Sequence, residues 1–163
     1  MRLPLHFALA VLLVNLAVCE EEASVRIEPY VEKVPANHLK FYLHFSEPME
    51  RGDAFRFLRL IEINDSGKEL VEVPEPFREV ELWDETFTRM TLWFHPGRQK
   101  PGVNLNVEIG PILEEGKTYR LEISPDWITE SGAKLNGALA KTIEAAEPDS
   151  EQPDPATWGS GYG

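Results

Sequence analysis

The chain has 163 residues, which is enough for one domain and too few for two comfortable ones. It carries 28 acidic against 16 basic residues, a formal net charge of -12. This charge excludes a sequence-independent attraction to nucleic acid, which needs a basic face, and gives no electrostatic reason to bind anionic lipid. We therefore predict no nucleic-acid partner, and contact with a membrane only through a lipid anchor.

The N-terminal residues have the pattern of an export signal. Arg2 supplies a positive charge, and Ala8 to Val18 form an apolar segment that is too short to span a bilayer. The acidic run Glu20 to Glu22 ends this segment abruptly. We predict that residues 1–19 are a signal peptide and that the protein is exported to the periplasm, the outer envelope or the cell surface.

The single cysteine, Cys19, lies at the end of this segment and leaves two modes of cleavage open. Leu16 to Cys19 resembles a bacterial lipoprotein box, in which Cys19 would become the acylated first residue of the mature protein. Val18 departs from that pattern, which prefers a small residue before the cysteine. Alternatively, Ala17 to Cys19 is a small-x-small site and cleavage falls before Glu20. In both cases the mature chain has no cysteine pair and folds without a disulfide.

The residues after the signal are patterned as short β-strands separated by turn residues. The predicted strands are, in chain order, 25–34, 38–45, 55–63, 68–73, 77–84, 88–94, 118–123 and 138–145. A long loop spans residues 95–117, where we expect one short helical turn at Ile112 to Gly116. With frequent turn signals and no crossover helices, the pattern predicts an all-β, antiparallel β-sandwich of about seven strands.

The last segment, residues 147–163, has a different composition from the rest. It holds three prolines, three glycines and several acids, with almost nothing to bury, which predicts a flexible acidic tail. Trp158 and Tyr162 are unusual in such a tail. They are either incidental aromatics of a disordered end or a short docking element.

Four motifs in the strand-rich region resemble those of one family. Phe45 to Met49 (FSEPM) follows an alternating strand, and TRMTLWFHP, LEEGKTYRLEI and DWITESGAKL follow in order along the chain. Together they are similar to the motifs of bacterial Ig-like domains of the S-layer-protein type. The resemblance implies an Ig-like β-sandwich over residues 24–146.

The same resemblance gives the FSEPM stretch a structural explanation, which we favour over a functional loop. In the family, the strand ends here and the chain leaves the sheet. Pro48 lacks an N–H and would interrupt the ladder, and Met49 is then free to pack under the sandwich edge. Glu81 to Asp84 (ELWD) and His95 to Gly102 (HPGRQKPG) further resemble a subgroup of single-domain envelope proteins, whose members more often have a basic residue in place of Pro101.

Clusters of acidic residues provide a weaker case for chemistry. Glu81, Asp84 and Glu85 include the pair of carboxylates that a glycosidase needs, but Glu81 and Asp84 point to opposite faces of a strand. Asn64 to Ser66 and Asp126 to Glu130 have oxygens suited to calcium, although such sequences more often form Asx-type turns. The sequence has no HExxH, CxxC, GxSxG or P-loop pattern. We therefore predict no catalytic residue, no metal site and no cofactor.

A candidate binding face comes from combining two strands. Their predicted core-facing residues are Leu39, Phe41, Leu43 and Phe45 on the first strand and Met90, Leu92 and Phe94 on the second. The opposite faces then carry His38, Lys40, Tyr42 and His44 on the first strand and Arg89, Thr91, Trp93 and His95 on the second.

If these strands are neighbours, we predict that Tyr42, His44, Trp93 and His95 bind a partner. An exposed tyrosine and tryptophan suit stacking on a sugar ring or on a partner protein, and two histidines on adjacent strands suit a transition metal. The alternative is that the loop at residues 95–117 covers Tyr42 and Trp93.

Taken together, these patterns favour an exported, non-enzymatic module of the envelope or cell surface that binds a protein or glycan partner. The sequence leaves two alternatives open. One is a hydrolase that uses the acids near Glu81, and the other is a purely structural spacer. The fold alone does not choose among them, because β-sandwiches host many functions.

Overall fold

The structure is a computed structural model and describes residues 22–150. The predicted signal peptide with Cys19, and the tail residues Trp158 and Tyr162, lie outside the described residues. The described chain forms a β-sandwich. Its strands are β1 (Glu22–Glu28), β2 (Lys33–Pro35), β3 (Lys40–Phe45), β4 (Leu58–Ile63), β5 (Glu69–Glu72), β6 (Leu82–Trp83), β7 (Arg89–Trp93), β8 (Thr118–Ile123), β9 (Lys134–Asn136) and β10 (Ala140–Ala146).

The strands form two sheets of five strands each. Sheet I has the order β6-β7-β3-β1-β9, and sheet II has the order β2-β10-β8-β4-β5. Most neighbours are antiparallel, but β9 pairs with β1 and β2 pairs with β10 in parallel. The prediction of an all-β sandwich is confirmed, with mixed rather than antiparallel sheets.

The described residues contain ten strands where the sequence predicts about seven. The predicted strand at 25–34 is divided at Pro29 into β1 and β2, which belong to different sheets. Strands β6 and β9 have only two and three residues, and so short a run shows no alternation that a sequence pattern can detect.

The core lies between the sheets and is built from alternate residues of the strands. Tyr119, Leu121 and Ile123, which alternate along β8, are buried. Trp127 is fully buried; its ring stacks on Phe57 with centroids 5.5 Å apart, and its indole N–H donates to a backbone carbonyl. The core is therefore aromatic at one end of the sandwich, where packing is dense and specific.

One inward-facing prediction is wrong. Leu39 is 59% exposed, whereas His38 packs its ring edge against Phe41 at 4.8 Å between centroids. The reason is that β3 begins only at Lys40, so the alternation of the strand does not extend back to residues 38 and 39. The other predicted core residues of the two strands are buried.

The FSEPM segment joins the strand end to a distant turn. Met49 is fully buried and donates its N–H to the carbonyl of Phe87, while the carbonyl of Pro48 accepts from the N–H of Glu130. Ser46 Oγ accepts from the N–H of Ser24 at 3.0 Å. The structural explanation of this stretch is therefore confirmed.

The segment at residues 95–117 contains two short helices, α1 (Pro96–Gln99) and α2 (Asn104–Ile109). No helix forms at Ile112 to Gly116: Ile112 and Leu113 lie in bends and are buried, and the N–H of Lys117 donates to the carbonyl of Glu114 in a non-helical turn. Helix α1 begins where it does because Pro96 presets the backbone and His95 Nδ1 accepts from the N–H of Gly97. None of the helices within residues 22–150 has the length and apolar character needed to cross a membrane.

Candidate functional site

Strands β3 and β7, which carry the predicted binding residues, are antiparallel neighbours in sheet I. Lys40 lies opposite Trp93, Tyr42 opposite Thr91, and His44 opposite Arg89. On the other side of β3, β1 is the next strand in the sheet. We call the outward side of these strands, with the adjoining Arg78, the aromatic–cationic face; it comprises Arg26, Glu28, Lys40, Tyr42, His44, Arg78, Arg89, Thr91 and Trp93.

The two aromatic residues of this face are accessible to different degrees. Trp93 is 37% exposed, so the segment at residues 95–117 does not bury it. Tyr42 is half-buried, with Lys40 Nζ 5.1 Å and the Arg89 guanidinium 5.9 Å from its ring centroid. The guanidinium of Arg78 lies 5.8 Å from the ring of Trp93. Both rings therefore hold cations over their faces at distances typical of cation–π contacts.

The histidines do not share the face as predicted. His38 turns inward, and His95 caps helix α1 beyond the end of β7, while His44 remains on β3. His95 lies six positions along the chain from Arg89, the residue opposite His44, a separation of roughly 20 Å in extended chain. The structure thus separates His44 from His95, and a metal site shared by them is not supported. Within residues 22–150, no group of three or more His, Cys, Asp and Glu side chains is placed to hold a metal ion.

Glu28 is the acidic residue nearest the centre of this face. His44 Nε2 lies 3.2 Å from Glu28 Oε2, an ion-pair distance without hydrogen-bond geometry. The hydrogen bond from the hydroxyl of Tyr30, followed by the interactions with His44, holds the pKa of Glu28 below its ordinary value. This carboxylate is therefore engaged locally and is not paired with the cations around Tyr42.

The two sheets differ in how their surface charges are arranged. On sheet II, basic residues pair with carboxylates: Arg59 with Glu72 at 3.1 Å, and Arg120 with Glu122 at 2.6 Å. On the aromatic–cationic face, by contrast, no ion pair with a residue in the range 22–150 involves any of four basic residues, namely Arg26, Lys40, Arg78 and Arg89. A chain with a net charge of -12 therefore presents a local basic surface.

The carboxylate of Glu81, the centre of the hydrolase alternative, is fully occupied by protein donors. It accepts from the N–H groups of Gly52 and Ala54, each at 2.9 Å, and from the indole N–H of Trp83 at 2.8 Å. Burial raises the pKa of Glu81, but the hydrogen bonds from Ala54, Trp83 and Gly52 outweigh it and leave the pKa below its ordinary value. Gly52 has a φ of 99°, a conformation that favours glycine at this position.

The neighbouring acid Asp84 has a similar structural role. Its Oδ1 accepts from the N–H groups of Thr88 and Arg89, and its Oδ2 accepts from the hydroxyl of Thr86. Burial raises its pKa, and these hydrogen bonds outweigh that effect, so the pKa is lowered. The ELWD stretch thus fixes two loops, while Trp83 packs against Trp127 with centroids 6.0 Å apart.

The suggested calcium donors form turns. Asn64 Oδ1 accepts from the N–H groups of Ser66 and Lys68 at 3.0 and 2.9 Å, the pattern of an Asx turn. Near the second stretch, Thr129 Oγ1 accepts from the N–H of Ala133 and closes the turn before β9. Both stretches therefore contain a side chain that closes a turn.

Sequence reasoning placed Lys40 and Arg89 on this face but gave them no role, and it missed Arg78. The alternation of β3 and β7 already places Lys40 and Arg89 on the same face as Tyr42, so the sequence was sufficient to predict that this face is basic. The position of Arg78 was not, because it depends on the N–H of Arg78 donating to the carbonyl of Trp93 alongside β7. That contact is tertiary and leaves no periodic signal.

No protein-family model matches the chain, and no curated protein sequence matches it significantly. Among solved structures, it is similar to domains 1–6 of the surface layer protein SbsC, with 11% identity, a TM-score of 0.46 and coverage of 79% of this chain and 14% of that one. It is also similar to the native conformation of Escherichia coli alpha-2-macroglobulin, with 13% identity, a TM-score of 0.39 and coverage of 76% of this chain and 6% of the other.

A third similar structure contains domains MG0-NIE-MG1 of Escherichia coli alpha-2-macroglobulin, with 14% identity, a TM-score of 0.39 and coverage of 70% of this chain and 29% of that one. The chain thus spans between 6% and 29% of the length of these solved chains. At this level of similarity we take neither a family nor a function from them.

Proposed function

We propose that this protein is an exported, non-enzymatic module of the envelope or cell surface that binds an acidic partner protein through the aromatic–cationic face. The observation that carries the proposal is the set of basic side chains held over Tyr42 and Trp93 that form no ion pair within 4.0 Å with a carboxylate of residues 22–150. An acidic partner would supply those carboxylates. Complementary charge also steers association and raises its rate.

The rings act mainly as supports for the cations. A sugar that stacks on an aromatic ring needs a free ring face, but Lys40 and Arg89 lie over Tyr42, and Arg78 lies over Trp93. A guanidinium held over a ring loses less freedom when it meets a carboxylate, and this lowers the entropic cost of binding. The face is the side of a sheet, which suits a protein surface better than a single sugar unit.

A hydrolytic role for the acids near Glu81 has less support. A glycosidase needs one carboxylic acid that is protonated near neutral pH, which requires a raised pKa. Glu81 and Asp84 both have lowered pKa values and donate nothing, since their oxygens accept hydrogen bonds from loops of the fold. A binding role needs no such acid.

The test compares a charge-reversed face with a control in which a cation on the other sheet is reversed. In the first variant, Arg78→Glu and Arg89→Glu reverse two cations of the face. In the control, Lys68→Glu reverses an exposed cation in the hairpin turn between β4 and β5, on the other sheet. Binding of poly-L-glutamate and of polygalacturonate is measured by calorimetry at about 50 and 200 mM NaCl, because contacts between exposed charges are screened by salt.

We expect poly-L-glutamate to bind the unmodified protein and the control equally, to bind the face variant at least about tenfold more weakly, and to bind less tightly at the higher salt concentration. Equal binding by the face variant and the control would refute the proposal. Stronger, face-dependent binding of polygalacturonate would replace the acidic protein by an acidic glycan. No binding of either polymer would favour the spacer alternative.

The aromatic residues are tested separately. The double variant Tyr42→Ser and Trp93→Ser should abolish binding, because the cations lose their supports. Since Trp93 is exposed and Tyr42 only half-buried, we expect the double variant to lower the free energy of unfolding by about 1–2 kcal/mol, which corresponds to a few degrees in Tm. A fall in Tm of about 20 °C would show that these residues serve the core instead.

A further inference from the structure

The chain leaves the last strand along a path that leads from sheet II towards sheet I. The end of β10 runs beside the end of β2 and the connection that follows it: Ala146 pairs with Pro35, and the N–H of Ala36 donates to the carbonyl of Ala146 at 2.9 Å. Asn37 and Asp149 then exchange two hydrogen bonds, of 2.6 and 3.0 Å. Because this connection joins sheet II to β3, the C-terminal segment is directed to the start of β3.

The start of β3 is one end of the aromatic–cationic face. Lys40 follows Asn37 by three positions and lies opposite Trp93. The remaining residues, 151–163, extend to roughly 40 Å at about 3.3 Å per residue, whereas a six-residue strand such as β3 spans about 20 Å. The segment therefore begins beside the face and is long enough to cross it.

The composition of this segment complements the face. It contains Glu151 and Asp154, no lysine or arginine, and two aromatic residues, Trp158 and Tyr162. The net charge of -12 makes most of the surface unfavourable for such a segment, and the basic face is the favourable place for it. Attachment to the same molecule also gives an effective concentration of about millimolar, so weak contacts suffice.

We propose that residues 151–163 bind to the aromatic–cationic face of their own molecule and compete there with an acidic partner. The carboxylates of Glu151 and Asp154 lie against Lys40 and Arg78 in this arrangement, and Trp158 packs on the same face. The inference rests on the proposed function in assigning a regulatory role to the segment. It gives the protein a partner site that is occupied until a stronger acidic ligand displaces the segment.

The experiment observes the tryptophans directly, without an external partner. The protein has four tryptophans, and incorporation of 5-fluorotryptophan gives each a separate ¹⁹F resonance that single Trp→Phe variants assign. Four samples are compared: the unmodified protein, a chain ending at Ser150, the variant Lys40→Glu with Arg78→Glu, and the control Lys68→Glu. The free peptide 151–163 supplies the reference position of Trp158. The chain ending at Ser150 keeps both hydrogen bonds between Asn37 and Asp149.

We expect the Trp158 resonance to differ from that of the free peptide in the unmodified protein and the control, and to return to the peptide position in the charge-reversed variant and in about 0.5 M NaCl. The Trp93 resonance should move when the chain ends at Ser150. A Trp158 resonance at the peptide position with Trp93 unmoved by truncation would overturn the inference. A shift of Trp158 that survives charge reversal, or that depends on protein concentration, would also overturn it.

The proposed function is tested separately, by measuring the binding of poly-L-glutamate to the same samples. If the segment competes, the chain ending at Ser150 binds poly-L-glutamate several-fold more tightly than the unmodified protein does. If the segment does not bind and both chains bind poly-L-glutamate equally, the inference fails and the proposed function stands. If neither chain binds the polymer, the proposed function fails, and binding of the segment to the face is then decided by the Trp158 and Trp93 resonances alone.

Discussion

The carboxylate of Glu81 is the most informative single position for separating a structural from a catalytic role of the ELWD stretch. Replacing it by alanine leaves three donors, the N–H groups of Gly52 and Ala54 and the indole of Trp83, without their acceptor. Gly52 is exposed and can turn to water, so its bond adds little. Ala54 is buried and Trp83 is half-buried, so their donors lose a partner that water replaces poorly.

The expected loss follows from these two donors. A hydrogen bond to a charged acceptor contributes about 1.5–3 kcal/mol, and partial exposure of Trp83 lowers its share, so we expect Glu81→Ala to cost about 2–4 kcal/mol. For a fold of this size, 1 kcal/mol corresponds to roughly 3–5 °C, which gives a fall in Tm of about 10 °C. Glu81→Gln keeps one acceptor oxygen, so it should lower the free energy of unfolding by about half as much as Glu81→Ala does.

The pH dependence gives a second, independent readout. The pKa of Glu81 is lower in the folded state than the value of about 4.5 expected when unfolded, so its stabilisation is fully present above pH 4.5 and is lost as the pH falls through the folded pKa. The difference in unfolding free energy between the unmodified protein and Glu81→Gln should therefore narrow in acid. This difference is measured by urea unfolding at pH 7 and pH 3, with circular dichroism as the signal. A cost below about 0.5 kcal/mol for Glu81→Ala, or a difference from Glu81→Gln that is the same at both pH values, would refute the structural role.

Two further changes test other parts of the fold. Arg98 is only 2% exposed and donates to the carbonyls of Pro74, Gly110 and Pro111. Arg98→Met should therefore lower the free energy of unfolding in urea by about 3 kcal/mol or more, and Arg98→Lys should recover only part of that loss. An unchanged free energy of unfolding in Arg98→Met would show that these hydrogen bonds add no net stability. Burial lowers the pKa of His38 below 6.5, so the fold loses stability as the pH falls from 6.5 through the folded pKa. The free energy of unfolding of His38→Phe should therefore no longer fall between about pH 7 and 5. If the variant keeps the pH profile of the unmodified protein, the loss of stability belongs to another group.

The sequence predicted the longer strands well because alternation is a local property. β3, β7 and β8 each have five or six residues with a regular inward face, and that is long enough for the period of two to be recognised. The parallel pairing of β2 with β10 was not predictable. It joins residues that are more than 100 positions apart in the chain, and the three residues of β2 are too few to show a pattern.

The candidate site was predicted in part for the same reason. Tyr42 and Trp93 face outward because they lie within strands whose alternation is intact. His38 and His95 lie beyond the ends of those strands, where the backbone turns and the alternation no longer fixes a direction. The carboxylate of Glu81 looked like a possible acid in the sequence, and only the positions of its three donors identify it as a cap of a loop.

The two terminal strands of the described fold lie in different sheets and end at opposite poles of the sandwich. β1 starts at Glu22, at the pole where β3 ends, since Val25 pairs with Phe45. β10 ends at Ala146, at the pole where the connection to β3 begins, since Ala146 pairs with Pro35. A tension applied between these two ends pulls β1 and β10 along their own axes.

Each of these strands is bonded to a neighbour on both sides, β1 to β3 and β9, and β10 to β8 and β2. The hydrogen bonds lie across the strand axes, so an axial pull shears all of them together and does not open them one by one. A mechanical load applied between Glu22 and Ala146 is therefore shared by four ladders, two in each sheet. The same strands that form the aromatic–cationic face thus also form a fold whose resistance to stretching depends on hydrogen bonds and not on a covalent cross-link.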